Sequence, residues 1–272
     1  MRLFLIRHAE SEHNVTHSYA GSTDSSLTNH GVLQIERLAQ YFQTQEVVFT
    51  HVFTSDMQRA RMTAEGICAR LGEQQDGGSS PLRPALLPLL REKNFGSLEG
   101  RSLHALRRDG FDPTPEVTRE PESKESVTVR AQTFVDDYLA PLIRDTRHTE
   151  HTVAIVSHNI LLQALWHTLR SLFLRENIVA APGVEVGIRL PPWANTGYME
   201  LDISELDDGQ APTEDDLIFS DMPNDFDLSS GRYKMTVLAV NEKEHLKNLN
   251  RTRGVGSAKH DASQRRIDSF FQ

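Results

Sequence analysis

The chain has 272 residues and is 38% hydrophobic, which is ordinary for a globular protein with one large domain or two small ones. Its formal net charge of -9 at pH 7 excludes broad, sequence-independent attraction to nucleic acid or anionic lipid, so a bound phosphate needs a local cluster of cations. The single cysteine excludes a disulfide framework, and no apolar run approaches the roughly 18 residues of a membrane span. We expect a soluble intracellular protein.

The first 172 residues alternate between short apolar runs and amphipathic stretches, the pattern of a mostly parallel sheet covered on both faces. Apolar spacing and turn residues define eight elements. They are strand 2–6, helix 32–42, strand 47–55, helix 57–71, a short edge strand at 85–90, helix 127–142, strand 152–157 and helix 160–172. The predicted fold class is α/β, a three-layer α/β/α sandwich.

The last hundred residues have a different pattern. Residues 196–203 and 233–241 predict two further strands, and the stretch between them, about 202–231, is an acidic insertion that we expect to be a solvated loop. Beyond Leu249 the chain becomes polar. We therefore predict a catalytic domain over 1–249 and a linker with a terminal peptide over 250–272.

Chemically reactive side chains follow four of the predicted strands. Because ligands of open α/β sheets lie beyond the carboxyl ends of the strands, these side chains should meet at one rim. They are Arg7, His8 and Asn14 after the first strand, Arg59 after the second, Glu92 after the edge strand and His158 after the strand at 152–157.

This set of side chains suits phosphoryl transfer through a histidine nucleophile. Two guanidinium groups can grip the non-bridging oxygens while an imidazole nitrogen attacks phosphorus in line. A carboxyl such as Glu92 can protonate the leaving oxygen and then take a proton from the attacking water, provided that partial desolvation keeps it protonated beside the arginines. We expect no metal and no cofactor.

Five ordered motifs in residues 1–172 resemble those of the histidine phosphatase superfamily, also called phosphoglycerate mutase-like. They are LIRHAESEHN, DSSLTNHGVLQ, FTSDMQRARMTAE, REKNFGSLEG and AIVSHNILLQAL. A sixth segment, NTGYMEL, resembles the family more weakly. The resemblance implies that His8 is the phosphorylated nucleophile and that Glu92 is the proton donor. It also implies a phosphate pocket completed by Arg7, Arg59 and His158, in which Asn14 assists. Asn159, next to His158, is a further candidate for binding phosphate.

The chain departs from the family pattern at three places. Ala9 and Asn159 stand where glycine is usual, and Ser97 and Leu98 stand where many members carry tryptophan. None of these departures removes a catalytic side chain. The tryptophan-containing segments of the glycolytic mutases are also absent, which favours hydrolysis of a phosphorylated small molecule or phosphoprotein over a mutase reaction.

Other interpretations remain open. Arg7 and His8 alone could cap a strand at the surface, although the five motifs together disfavour this. His8, His13 and His17 could be metal ligands, but their spacing matches no zinc pattern. A non-catalytic phosphatase-like scaffold subunit of a nuclear, DNA- or transcription-associated complex is a further alternative.

The C-terminal residues QRRIDSFF resemble the peptide with which eukaryotic proteins dock on the sliding clamp PCNA. A single helical turn would present Ile267, Phe270 and Phe271 together as an apolar plug, with Gln264 at its start. Alternatively, the aromatic residues fold back onto the protein's own core, or the match arose by chance. Docking on the clamp would imply a eukaryotic, at least partly nuclear, protein, and we expect the chain in the cytoplasm, the nucleus or both.

Overall fold

The computed structural model describes residues 1–72, 81–102, 119–145, 151–187, 190–206, 232–252 and 254–261. In these ranges the chain forms one seven-stranded sheet in the order β3-β2-β4-β1-β6-β7-β5. The strands are β1 (Arg2–Arg7), β2 (His51–Thr54), β3 (Ala85–Leu86), β4 (Thr152–Ser157), β5 (Ile178–Ala180), β6 (Tyr198–Glu205) and β7 (Tyr233–Glu242).

The sheet is mostly parallel, as predicted. β1, β4, β2 and β3 pair in parallel, and so do β5 and β7, whereas β6 runs antiparallel to both of its neighbours. In the centre of the sheet Arg7 is opposite Ser157, so β1 and β4 end side by side. The residues that follow these two strands therefore meet at one rim.

Helices cover both faces of the sheet. They are α1 (Glu12–Thr16), α2 (Asn29–Thr44), α3 (Gln58–Gly72), α4 (Lys124–Phe134), α5 (Ala140–Arg144) and α6 (Asn159–Ser171). A π-helical turn, Val135–Leu139, joins α4 to α5. Within the described ranges no helix is long and apolar enough to cross a membrane.

The alternation of side chains along β1 divides the core into two layers. Leu3 and Leu5 belong to the cluster that contains the apolar faces of α4 and α6, whereas Phe4 and Ile6 pack in the cluster formed with α2 and α3. Every residue of β1 from Leu3 to Ile6 is buried, because helices cover the strand on both sides. The predicted three-layer α/β/α sandwich is confirmed.

The structure differs from the prediction in several details. The second strand begins only at His51, and the edge strand is two residues long because Pro88 opens a 3-10 turn. Strand β5 and helix α1 were not predicted. Both are short, and three to five residues carry too little periodicity to be recognised.

The first part of the predicted linker lies on the body of the protein. Thr28 and Lys259 form an antiparallel bridge, and the His260 N–H donates to the Leu27 carbonyl oxygen (2.8 Å). Arg251 pairs with the buried carboxylate of Glu10. The peptide at 264–271 and most of the acidic insertion lie outside the described residues.

Truncation of Leu165 tests the role of α6, which carries His158 and Asn159 at its N-terminus. The Leu165 side chain is fully buried, so Leu165→Ala should lower the free energy of unfolding by about 2–5 kcal/mol in urea denaturation. Leu33→Ala is the control, since Leu33 is 41% exposed and its loss should change that free energy by less than about 0.5 kcal/mol. Equal costs for the two variants would contradict the assigned packing.

Candidate active site

His8 lies directly beyond β1, at the centre of the rim. Its backbone N–H donates to the Ser157 carbonyl oxygen (2.9 Å), which continues the pairing of β1 and β4 by one residue. The ring is 4% exposed, and its Nδ1 lies 2.7 Å from the Ala9 carbonyl oxygen. Because a carbonyl oxygen only accepts, Nδ1 carries the proton and the lone pair of Nε2 is available for attack.

Arg59, in the first turn of α3, is 1% exposed and its charge is held by main-chain carbonyl groups. Its terminal nitrogens donate to the carbonyl oxygens of Ala20 (2.6 Å), Gly21 (2.8 Å) and Thr23 (3.0 Å). The carboxylate of Asp24 lies 4.0 Å away. These bonds fix the position of the guanidinium group in the floor of the site.

The loop that supplies these carbonyl groups is itself held by Glu99. The Glu99 carboxylate accepts the backbone N–H groups of Ser22 (2.7 Å) and Thr23 (2.6 Å). Glu99 belongs to the motif REKNFGSLEG but had no predicted role of its own. It acts on the site through backbone groups, which residue type and spacing alone do not reveal.

His158 is the N-cap residue of α6, and its ring centroid lies 5.0 Å from that of His8. Arg59 Nε donates to His158 Nδ1 (3.3 Å), so the proton of the neutral ring is on Nε2. His158 Nε2 is buried and has no hydrogen-bond partner among the described residues. An unpaired buried donor beside the nucleophile is suited to binding an anion.

Arg7, the last residue of β1, is the second cation of the site. Its Nη1 donates to the Trp193 carbonyl oxygen. Its Nε is buried and, within the described ranges, has no hydrogen-bond partner. The guanidinium group is therefore anchored at one nitrogen and leaves another donor for a ligand.

Glu92 connects the segment after β3 to α6. Its carboxylate accepts the backbone N–H groups of Lys93 (2.9 Å), Ile160 (3.1 Å) and Leu161 (3.3 Å), so it caps the N-terminus of the helix. Burial raises the pKa of Glu92 despite these bonds and the nearby arginines. The protonated fraction of the Glu92 carboxyl group at neutral pH is therefore larger than that of an exposed glutamate.

Burial and the two arginines also determine the protonation of the histidines. Burial lowers the pKa of His8 well below its ordinary value, and the charges of Arg59 and Arg7 lower it further. The pKa of His158 is lowered in the same way. Both imidazole rings are therefore neutral at pH 7, the state in which His8 is a nucleophile and His158 is a single donor.

Asn14 also lies at this rim, and a residue that the sequence did not predict holds it there. Asn14 Oδ1 accepts from the Ser11 N–H (3.1 Å) and from Asn195 Nδ2 (3.0 Å), which leaves its own amide hydrogens to donate. Asn195 Nδ2 also donates to the His8 carbonyl oxygen (3.0 Å). Asn195 is the first residue of NTGYMEL, the segment with the weaker resemblance to the family. Its position beside β6 was the only indication in the sequence that it contributes to the site.

Asn159, predicted to bind phosphate, also contacts the chain before β6. Its Oδ1 accepts the Trp193 N–H (3.0 Å), so this oxygen holds the segment before β6.

Among the described residues no group of three His, Cys, Asp or Glu side chains could hold a metal ion. The structure thus brings Arg7, His8, Arg59 and His158 together, with Glu92 alongside.

The family follows from this fold and from the sequence comparisons. Residues 3–177 match the model of the histidine phosphatase superfamily (branch 1). The chain belongs to that superfamily.

Individual relatives carry the names of phosphatases and mutases. "Probable phosphatase C1620.13" of Schizosaccharomyces pombe is 30% identical over 98% of this chain and 78% of its own length. "Probable phosphoglycerate mutase GpmB" of Photorhabdus laumondii is 29% identical over 80% of this chain and 99% of its own length. A phosphatase activity is therefore supported by homologues, whereas their names differ on the reaction.

Solved structures share the fold. A mycobacterial glucosyl-3-phosphoglycerate phosphatase superposes with a TM-score of 0.60 at 18% identity, covering 89% of this chain and 99% of that one. Bacillus stearothermophilus YhfR gives 0.53 at 23% identity, covering 75% and 91%. At these identities the likeness establishes the fold alone.

A buried histidine, His245, contacts Thr196, which in turn is hydrogen-bonded to the backbone of Arg7. Thr196 donates its backbone N–H to the Arg7 carbonyl oxygen (3.1 Å), and its hydroxyl lies 3.0 Å from His245 Nε2. His245 is 5% exposed, and burial lowers its pKa to about 4. The folded state therefore holds this ring neutral over a pH range in which the unfolded chain protonates it.

Acid should consequently destabilise the protein in part through His245. Because the folded pKa is below the ordinary 6.5, the unfolded state binds more protons between pH 6.5 and 4, and the free energy of unfolding falls as the pH falls. His245→Gln should reduce the loss between pH 7 and pH 5 by roughly 2 kcal/mol in urea denaturation.

His167→Gln, which removes an imidazole from the exposed side of α6, is the matched control for the loss of a histidine. His8 and His158 continue to contribute in both variants, so some acid sensitivity will persist. If His245→Gln and wild type lose equal stability, His245 is not the neutral buried group described.

Proposed function

We propose that the protein is a phosphomonoesterase that works through a phosphohistidine at His8. The observation that carries this proposal is the pairing of a neutral, oriented imidazole with unpaired buried donors on Arg7 and His158. Such donors match the oxygens of a phosphoryl group, and the cationic guanidinium groups stabilise charge on them in the transition state. Neutral His8 supplies the attacking lone pair.

The reaction has two steps. In the first, His8 Nε2 forms a bond to phosphorus, the bond from phosphorus to the ester oxygen breaks, and Glu92 gives its proton to that oxygen. In the second, water attacks phosphorus, Glu92 takes a proton from the water, and the N–P bond breaks to release phosphate. Arg7, Arg59 and His158 hold the phosphoryl oxygens throughout.

We propose hydrolysis as the reaction of this protein, in preference to phosphoryl transfer from one substrate to another. A mutase must keep the phosphoenzyme from water, and the tryptophan-containing segments of the glycolytic mutases are absent here. The relative from Schizosaccharomyces pombe, which spans nearly all of this chain, is named a probable phosphatase. A mutase or a non-catalytic scaffold are the alternatives that the following experiment distinguishes.

A cavity that Glu92 helps to line offers a place for the leaving group. It has a volume of about 440 Å³, and Ser22, Arg91, Asn94 and Arg130 are among its lining residues. Because the proton donor must be next to the ester oxygen, the rest of the substrate lies on this side.

Replacement of Glu92 should have an effect that depends on the leaving group. An alkoxide leaves poorly without a proton, whereas nitrophenolate leaves without help. Glu92→Gln should therefore lower kcat/KM for an alkyl phosphate such as glycerol phosphate by about 10²–10⁴-fold and that for p-nitrophenyl phosphate much less, in a phosphate-release assay.

Two controls complete this test. His8→Ala should be inactive on both substrates and form no acid-labile phosphoenzyme, since it lacks the nucleophile. Phosphoenzyme that reacts with added alcohols but not with water would favour a mutase-type reaction. Wild-type activity in His8→Ala, or absence of activity in wild-type protein, would contradict the proposed mechanism.

We further propose that residues 264–271 recruit the protein to a sliding clamp. Support comes from the order of Gln264, Ile267, Phe270 and Phe271 and from the exposed position of Asp261, three residues before Gln264. The peptide therefore begins three residues beyond a surface position. A partner with an apolar pocket could accept its aromatic side chains.

Deletion of residues 264–272 should abolish capture by immobilised PCNA and leave hydrolysis of p-nitrophenyl phosphate unchanged. The double substitution Phe270→Ala and Phe271→Ala should act like the deletion, since these rings form the expected plug. The double substitution Arg265→Gln and Arg266→Gln is the control, which keeps every apolar position. Undiminished capture after the deletion would discard the docking proposal.

A further inference from the structure

The two arginines of the site are anchored in different ways. Arg59 donates to three carbonyl oxygens of one loop. Arg7 has a single described anchor, the carbonyl oxygen of Trp193. The position of Arg7 therefore depends on the position of one peptide group that is distant in sequence.

That peptide group is held by Asn159. The Trp193 N–H donates to Asn159 Oδ1 (3.0 Å), while the carbonyl group of the same residue accepts from Arg7. Asn159 is the first residue of α6, a helix whose buried face fixes it against the sheet. A continuous chain of contacts thus runs from the rigid helix through the Trp193 backbone to the guanidinium group.

The segment around Trp193, residues 192–197, is also held on its other side by hydrogen bonds to a second asparagine. Asn241, near the end of β7, accepts the Ala194 N–H on its Oδ1 (2.8 Å) and donates to the Pro192 carbonyl oxygen (3.3 Å). The Trp193 indole is 2% exposed and packs in the main core cluster. Two asparagine side chains therefore hold this segment, one on each side.

We propose that Asn159 is a positioning residue, which sets Arg7 for phosphate through the Trp193 backbone. This inference rests on the proposed function and deepens it. Loss of Asn159 Oδ1 would free the Trp193 N–H from its anchor, and the carbonyl group that orients Arg7 would move with it. The same logic assigns Asn241 a supporting role.

A double-mutant cycle with equilibrium binding of inorganic phosphate tests the assignment without requiring turnover. Asn159→Ala should weaken phosphate binding by about tenfold or more, as expected when a ligand-binding group is displaced. Arg7→Met keeps the aliphatic stem and removes the guanidinium group. In the Arg7→Met background, Asn159→Ala should have no further effect, because the group through which it acts is gone.

The fluorescence of Trp193 provides a readout that reports the segment directly. The chain has two tryptophans, Trp166 and Trp193, so a Trp166→Phe background isolates the latter. Asn159→Ala should shift the emission of Trp193 to longer wavelength as the indole gains contact with water. A merely structural defect elsewhere in α6, such as that in Leu165→Ala, should not produce this shift before unfolding.

Asn241→Gly offers an independent variant should Asn159→Ala fold poorly. Asn241 has a positive φ of 49°, so glycine keeps the left-handed backbone and removes only the side-chain bonds. Asn248→Gly is its matched control, since Asn248 has φ 64° and is exposed. Asn241→Gly should weaken phosphate binding in the same direction, whereas Asn248→Gly should not.

The outcomes separate this inference from the proposed function. Equal weakening by Asn159→Ala in the wild-type and Arg7→Met backgrounds would show direct phosphate contact and overturn the positioning role. Unchanged binding in Asn159→Ala would overturn it as well. If phosphate binding shows the predicted coupling but the wild-type protein hydrolyses no phosphomonoester, the positioning role stands and the proposed function fails.

Discussion

The burial of two guanidinium groups at the end of the central strands is the constraint on which the site depends. A buried cation is costly unless it is neutralised or well hydrogen-bonded. Arg59 is satisfied largely by carbonyl oxygens, and its nearest carboxylate is 4.0 Å away. Because carbonyl dipoles do not cancel its charge, the pocket retains a positive potential that an anion can complete.

Burial and this positive potential together set the protonation of the other groups. The potential adds to desolvation in keeping His8 and His158 neutral, and it opposes the desolvation that raises the pKa of Glu92. The same buried environment therefore keeps His8 neutral, as a nucleophile must be, and raises the protonated fraction of Glu92, the proton donor.

Sequence reasoning located the side chains that carry charge or reactivity, because parallel strands deliver them to one rim. It also gave the sheet class and the helices with sustained apolar spacing. It did not find Trp193, Asn195 or Glu99, since each acts through a backbone group or on one. It named Asn159 for the phosphate pocket but did not foresee that its side-chain oxygen accepts the Trp193 N–H. Such contacts depend on tertiary placement, which residue type and spacing do not encode.

The order of strands has a consequence for where the chain can be divided. β1 is flanked by β4 on one side and by β6 on the other, although β6 begins nearly two hundred residues later in the chain. A fragment ending at residue 177, where the family match ends, would keep every reactive side chain named above. It would also expose one edge of β1 and remove the carbonyl anchor of Arg7. The smallest autonomous unit is therefore larger than the stretch that identifies the family.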